Sequence, residues 1–389
     1  MQNLSGPSNT HTTLFAIAGF IIGAVAWSGH LYTLLLLLLL PVLLPLAVTR
    51  VHFVALMVAY HAGATWTLVP GSHVFFGSAF RPMDSLLLWF GAILVLTLPY
   101  AITRLFDRSQ LYWALPAALI IAVFLPTSIE NPLTIAGALF PRLGWVGLLL
   151  TLFLYGAITR KPVLSLSFAA FLFAVCHLYA TGSPQAPLSW TGVDTRFGGT
   201  GFVASNTMSS YEDAIKIQAV AHDSTASVTV FPETVVKSWN GATDLFWQPT
   251  FDELASNGRT IVVGAEESGA KLGSYSNVLM IRGAQTAVFR QRVPIPIAMW
   301  HPFDDLGVPL NVSGPATITI NGARVAPIIC YEQLLSFPVL DAMRSHPAIL
   351  LGVANDYWAR DTSIPQLQSS SLVAWSRLFW VPIVSAVNQ

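Results

Sequence analysis

Residues 324–335 read RVAPIICYEQLL. The apolar, partly β-branched run from Val325 to Ile329 predicts a buried strand. It delivers Cys330, then Tyr331 and Glu332, into the start of a helix predicted over about 333–345. A thiol at a strand-to-helix turn can have its pKa lowered by the helix N-terminus and be presented as a nucleophile. The bland alternative is a buried packing cysteine, the commoner fate of an isolated one.

The same pattern recurs on either side. Val228 to Phe231 ends in Pro232 and Glu233, so a carboxylate stands where an apolar strand stops. Ile349 to Ala354 ends in Asn355 and Asp356, with Trp358 just beyond. Strands are predicted near 226–231, 260–265, 276–282, 286–292, 316–320, 324–330, 348–354 and 381–387, and helices at about 209–221, 243–257, 333–345 and 364–379. Alternation of this kind argues an α/β sandwich with helices covering a mixed sheet, and polar residues at several strand ends are how such a fold assembles a site.

Residues before Gly182 have another character. The whole chain is 54% apolar and only 10% charged, with a mean hydropathy of +0.61, against about 25% charged residues in soluble domains. The only acidic residues before Gly182 are Asp84, Asp107 and Glu130. Seven apolar stretches approach bilayer-spanning length, at 13–29, 31–48, 51–69, 85–103, 111–128, 143–159 and 162–180. We therefore expect a polytopic membrane domain over 1–182, a Gly/Pro/Ser-rich linker over 183–200, and an α/β domain over 201–389. The predicted spans carry no charge near their centres and His52, His61 and His177 stand singly, which argues against a transport pathway.

Several function classes are excluded or disfavoured. No basic tract suggests nucleic acid as a partner. His222, His301 and His346 lack metal-ligand spacing, and neither a phosphate-binding glycine loop nor a G-x-S-x-G elbow occurs, so no metal or nucleotide cofactor is expected. Cys176 and Cys330 cannot make a disulfide framework.

Taken together, Phe231-Pro232-Glu233, Ile329-Cys330-Tyr331-Glu332, Ala354-Asn355-Asp356-Tyr357-Trp358 and the Gln366-Leu367-Gln368 helix leading to Val387-Asn388 resemble the nitrilase superfamily. With the preceding spans the chain looks like the apolipoprotein N-acyltransferase branch, and within it like plasmid-borne conjugal-transfer proteins. The resemblance implies an α-β-β-α sandwich and a Glu-Lys-Cys triad that carries an acyl group as a cysteine thioester. Carried over, Glu233 is the general base, Cys330 the nucleophile, Glu332 a supporting carboxylate, and Tyr331 and Trp358 line the substrate pocket, with plain core packing as the alternative for those two aromatics. A membrane phospholipid or a lipid-modified protein is the implied substrate, and conjugation envelope proteins are the implied partners.

The chain departs from that pattern at the triad lysine. Residues 289–297 read FRQRVPIPI, so the lysine position falls on Arg290, Gln291 or Arg292 depending on a gap. Arg290 and Arg292, on one face of a strand, are the candidate cations to hold an oxyanion, although arginine is not a conservative replacement for lysine. The chain also stops at Gln389, at about the last strand of the fold, with no further span. Three readings follow: a membrane-bound acyltransferase, a catalytically impaired envelope accessory protein of conjugation, or an amidase.

Arg50, Arg104, Arg108, Arg160 and Lys161 fall on one side of the predicted spans and only Arg81 and Arg142 on the other, which puts the N-terminus in the cytoplasm and residues after about Ala180 outside it. Reporter fusions after Ser183 should therefore behave as periplasmic in a Gram-negative host, and fusions near Arg108 as cytoplasmic. Cytoplasmic behaviour of the 183–389 segment would reverse this orientation.

Overall fold

The computed structural model describes residues 9–77, 80–106, 108–125, 129–197, 207–269, 271, 273–304 and 306–389. The chain divides into two compact units: residues 1–74, 78–183 and 362–380, and residues 75–77, 184–361 and 381–389. The helix predicted at 364–379 thus belongs to the first unit, although it lies in sequence within the α/β half.

Helices α1 (Asn9–Ala26), α2 (Arg50–Ala64), α3 (Leu68–Phe76), α4 (Pro82–Ala101), α5 (Leu111–Val123), α6 (Gly144–Arg160) and α7 (Pro162–Tyr179) fall in the N-terminal half. Among the described residues the apolar stretches form helices of unequal length. Among the described residues, three helices are long and apolar enough to cross a membrane, α1, α4 with its extension to Leu105, and α7, or up to five if each bent pair is one span. The α2–α3 pair bends by 46° where Thr65 takes the His61 carbonyl at 2.6 Å. The segment Pro132–Leu139 meets α6 at 119°, through Arg142 at φ +69° and Gly144 at φ +50°. The leucine run folds as a 3-10 helix over Leu31–Leu38, then a single α-turn at Leu39–Leu43 that contains Pro41. Hydropathy registers apolar length; backbone donors and turns decide continuity. Val163, Leu149 and Phe171 are exposed on these helices, the kind of outward face that a bilayer would solvate.

Helices α1 and α2 pack backbone to backbone. A Cβ on Gly19 would lie 2.2 Å from the Leu56 carbonyl oxygen, one on Gly23 2.1 Å from that of Tyr60, and one on Gly63 2.2 Å from that of Phe20. Gly19 and Gly23 are the two ends of a small-x-x-x-small repeat, which lets helices approach where no hydrophobic force drives them together. The late helix α11 (Ile364–Phe379) packs in the same unit. Gly137 meets the Ala374 backbone, the Arg142 N–H donates to the Arg377 carbonyl at 2.8 Å, and the Arg142 guanidinium lies 4.0 Å over the Trp380 ring.

The second unit is a two-sheet sandwich. Its strands are β1 (Trp190–Gly192), β2 (Val228–Val230), β3 (Val236–Trp239), β4 (Thr260–Ser268), β5 (Tyr275–Gly283), β6 (Ala287–Arg290), β7 (Ile318–Ile320), β8 (Ala323–Ile329), β9 (Ile349–Asn355) and β10 (Ile383–Asn388). One sheet runs β1-β2-β4-β5-β6, with β3 pairing β4, and the other runs β10-β9-β8-β7. Every predicted strand is present; β1, inside the expected linker, and β3 are additional. Val230, Val262 and Leu279 of the first sheet face Ile329, Leu351 and Val384 of the second in a continuous core. Helices α8 (Thr207–Asp223) and α9 (Gly241–Ser256) cover the other face of the first sheet through Ile217, Trp247 and Phe251. Helix α10 (Ser336–Met343) is seated beside β8. The layering is therefore α-β-β-α, with β2, β8 and β9 ending close together.

Gly23→Leu is expected to drive side chain into the α2 backbone and destabilise the first unit by about 1–3 kcal/mol, read as a lowered melting temperature in detergent. An unchanged melting temperature would mean that α1 does not pack on α2 through its glycines.

Candidate active site

Three strand ends meet at one carboxyl. Glu233 follows β2, buried to 3% exposure, its backbone pressed against Gly264 of β4, where a Cβ would fall 2.5 Å from the Glu233 Cα. Its Oε1 accepts from the Asn277 amide of β5, and its Oε2 accepts from the Asn355 N–H at the end of β9, at 3.0 Å. The Cys330 thiol, at the end of β8, donates to the same carboxyl and is also hydrogen-bonded by the Asn355 backbone. Cys330 stands at φ +49°, a left-handed conformation that costs a non-glycine residue about 1–2 kcal/mol. Strain of this kind concentrates at functional turns.

The surrounding polar groups hold this arrangement in place. Asn277 also donates to Gln291 Oε1 at 3.1 Å, and Gln291 Nε2 donates to the Ile329 carbonyl, next to Cys330, at 3.2 Å. Asn355 Nδ2 donates to Thr234 Oγ1 at 2.8 Å, and Asn388 Nδ2 donates to Asn355 Oδ1 at 2.8 Å, so the last strand braces the site. Glu332 is fully buried; its Oε1 accepts from the Arg292 and Val293 N–H groups at 2.7 and 2.9 Å and its Oε2 from the Ile329 N–H at 3.0 Å. Glu332 is thus a latch between the segment after β6 and the Cys330 turn, a support rather than a pocket wall.

Burial sets the charge states. It pushes the Glu233 carboxyl up to about 7, against the opposing hydrogen bonds from Cys330, Asn277 and Asn355. It also drives the Cys330 thiol well above the usual thiol range, helped by the negative charges of Glu233 and Asp356. Burial thus disfavours the charged form of both groups.

Arg290 and Arg292 correct the expectation that they share a pocket face. Strand β6 ends at Arg290, so the alternation that would align the two breaks there. The half-exposed Arg290 guanidinium pairs with Glu267. That of Arg292 is fully buried against Asp341 at 2.8 Å and the Pro338 carbonyl at 2.9 Å. The neutral Gln291 is the member of the trio hydrogen-bonded into the Glu233 network. Tyr331 is partly buried beside the cysteine, and Trp358, also partly buried, meets Phe75 edge to face at 5.2 Å. Asn277 was not singled out from sequence; an asparagine directly before the apolar run Val278–Ile281 is the signal that could have found it. Among the described residues no cluster of potential metal ligands occurs.

The chain is 31% identical over 394 residues to a probable conjugal transfer protein TraB of Sinorhizobium fredii, covering 96% of this chain and 97% of that protein. It is 29% identical over 398 residues to a conjugal transfer protein TraB of Agrobacterium fabrum, covering 96% and 92%. No family model matches. Among solved structures, an amidase of the nitrilase superfamily from Nesterenkonia AN1 aligns with a TM-score of 0.36 at 10% identity, over 51% of this chain and 74% of that one. A glutamine-dependent NAD+ synthetase from Acinetobacter baumannii aligns with a TM-score of 0.28 at 18% identity, over 42% and 31%.

The raised Glu233 has a stability consequence. Between the ordinary carboxyl value of 4.5 and about 7, the native state holds a proton that the unfolded chain has released, so stability falls as pH rises through this window. The full loss is about 3 kcal/mol above pH 7. Glu233→Gln should match wild type near pH 4.5 and be the more stable protein at pH 8, by thermal unfolding in detergent. A constant difference between the two proteins at every pH would show that Glu233 titrates normally.

Proposed function

We propose, for a chain that belongs to the TraB family of conjugal transfer proteins, that it is a membrane-anchored accessory of plasmid transfer built on a nitrilase-like domain whose catalytic centre is held in a weakly active form. The carrying observation is Gln291. The residue that joins Asn277 and the Ile329 carbonyl beside Cys330 is a neutral amide, while both neighbouring arginines are engaged with Glu267 and Asp341. A neutral donor stabilises an oxyanion less than a charged one, since charge-assisted hydrogen bonds are about twice as strong. The Gln291 amide is moreover already committed to the Ile329 carbonyl. On this reading the sandwich contributes a folded envelope surface to conjugation, at the inner membrane with the second unit on the periplasmic side, as the basic-residue distribution supports.

A second reading is favoured by the strained Cys330 turn and its bond to Glu233. In it the domain is an acyltransferase of the apolipoprotein N-acyltransferase kind. Cys330 Sγ would attack the carbonyl carbon of a lipid ester while Glu233 takes the thiol proton. The ester C–O bond then breaks, Glu233 returns the proton to the leaving alcohol, and a thioester remains on Cys330.

Conjugation frequency separates the two. In a donor lacking its own copy, Cys330→Ala and Glu233→Gln should restore transfer as well as the wild-type gene does. Purified wild-type protein should show little acyl adduct on Cys330 by mass spectrometry, and Gln291→Lys should raise thioester formation by about 100-fold or more if a cation is what the site lacks. Loss of transfer in Cys330→Ala, with the protein accumulating normally, would overturn the accessory reading in favour of the enzyme.

A further inference from the structure

Glu266 lies on β4 directly opposite Asn277 of β5 in the antiparallel register. Directly opposed residues share a face of the sheet, with Cβ atoms about 4.5–5.5 Å apart, so Glu266 stands beside the amide that holds Glu233. Gly264, two residues earlier on the same face, is the position pressed against the Glu233 backbone. Strand β3 lies along the other side of β4, with Val236 paired to Ala265, Trp239 to Glu267 and an irregularity in the register between them, so Lys237 lies next to this stretch of β4, near enough to Glu266 for the two charges to act on each other. Lys237, Glu266 and Asn277 therefore lie on the neighbouring strands β3, β4 and β5, and the last of them is hydrogen-bonded into the Glu233–Cys330 centre. Both charged members are only partly buried, and neither takes part in the chemistry considered so far.

We propose that Glu266 and Lys237 are positioning residues of this centre: the Glu266 carboxylate, balanced by Lys237, governs the charge on Glu233 and through it the reactivity of Cys330. The inference rests on the reading of Glu233 as the base that serves Cys330. Electrostatics link the same residues. Burial pushes Glu266 up to about 7, with Lys237 pulling it down. Glu266 in turn raises Glu233, and its charge also acts on Tyr275, its diagonal neighbour on β5. Burial lowers Lys237, against the attraction of Glu266 and of Asp213 on α8. The next residue, Glu267, is held apart from this group by Arg290. Two acids that share one neighbourhood and titrate in the same range behave as a coupled pair, and the lysine decides how far they interfere.

The test uses the full chain in detergent with Cys176→Ser, following alkylation of Cys330 by iodoacetamide across pH with mass spectrometry. Wild type should show a rate that climbs through a midpoint near 7, the range of Glu233, and Glu233→Gln should flatten that step. Glu266→Gln should move the midpoint down by a few tenths of a pH unit, since burial is the main cause of the rise and the like charge of Glu266 adds to it. Lys237→Arg should keep the wild-type midpoint. Lys237→Gln, an independent variant should Glu266→Gln not fold, should broaden the transition into two steps. If Glu233→Gln flattens the profile but both Glu266→Gln and Lys237→Gln leave it unchanged, the two residues carry no control and this inference fails alone. If Glu233→Gln matches wild type, or Cys330 resists the reagent at every pH, the reading of Glu233 as its base fails as well.

Discussion

The second unit is organised around the burial of one carboxyl. Removing a charged group from water costs several kcal/mol unless hydrogen bonds replace the lost solvent, and Glu233 recovers them from three segments far apart in sequence: Asn277, Cys330 and Asn355. Each partner demands its own support. Asn355 is held by Thr234 and Asn388, and the turn at Cys330 by Glu332. The sandwich layers bring the strand ends together, and the carboxyl determines which side chains can occupy them.

What was legible in the sequence was whatever depends on local pattern. Apolar runs that stop abruptly at Glu233, Cys330 and Asn355 marked strand ends that the fold brings together, because a polar residue closing a buried strand has few other places to go. Relations across strands were not legible. Arg290 and Arg292 looked like neighbours on one face because the strand was assumed to continue, whereas it ends between them. Asn277 was hidden because a polar residue beside Ser276 at the start of a strand has meaning only once its cross-strand partner is known. In the N-terminal half, hydropathy found every apolar stretch but could not show that Pro41, Thr65 and Arg142 sit where the helical ladder breaks or turns.

Gln291 gives the site its particular character. Glutamine approximates the reach of a longer basic side chain and keeps a donor, so the hydrogen-bond network closes without a cation. A neutral amide at this place satisfies the local packing with no charge introduced. The left-handed turn at Cys330 is held on its other side by Glu332, which accepts from the Ile329 N–H.

The path of the chain between the two units has a consequence for biogenesis. The segment 362–380 belongs to the first unit and 381–389 to the second. Helix α11 therefore reaches its seat against Gly137 and Arg142 only after residues 184–361 of the second unit have been made, and the edge strand β10 follows it. The first unit is complete only with residue 380 and the second only with residue 389. Until residues 362–389 emerge, a nascent molecule would carry an unfilled seat for α11 and an unpaired β9 edge at once, the surfaces on which chaperones and quality-control proteases act.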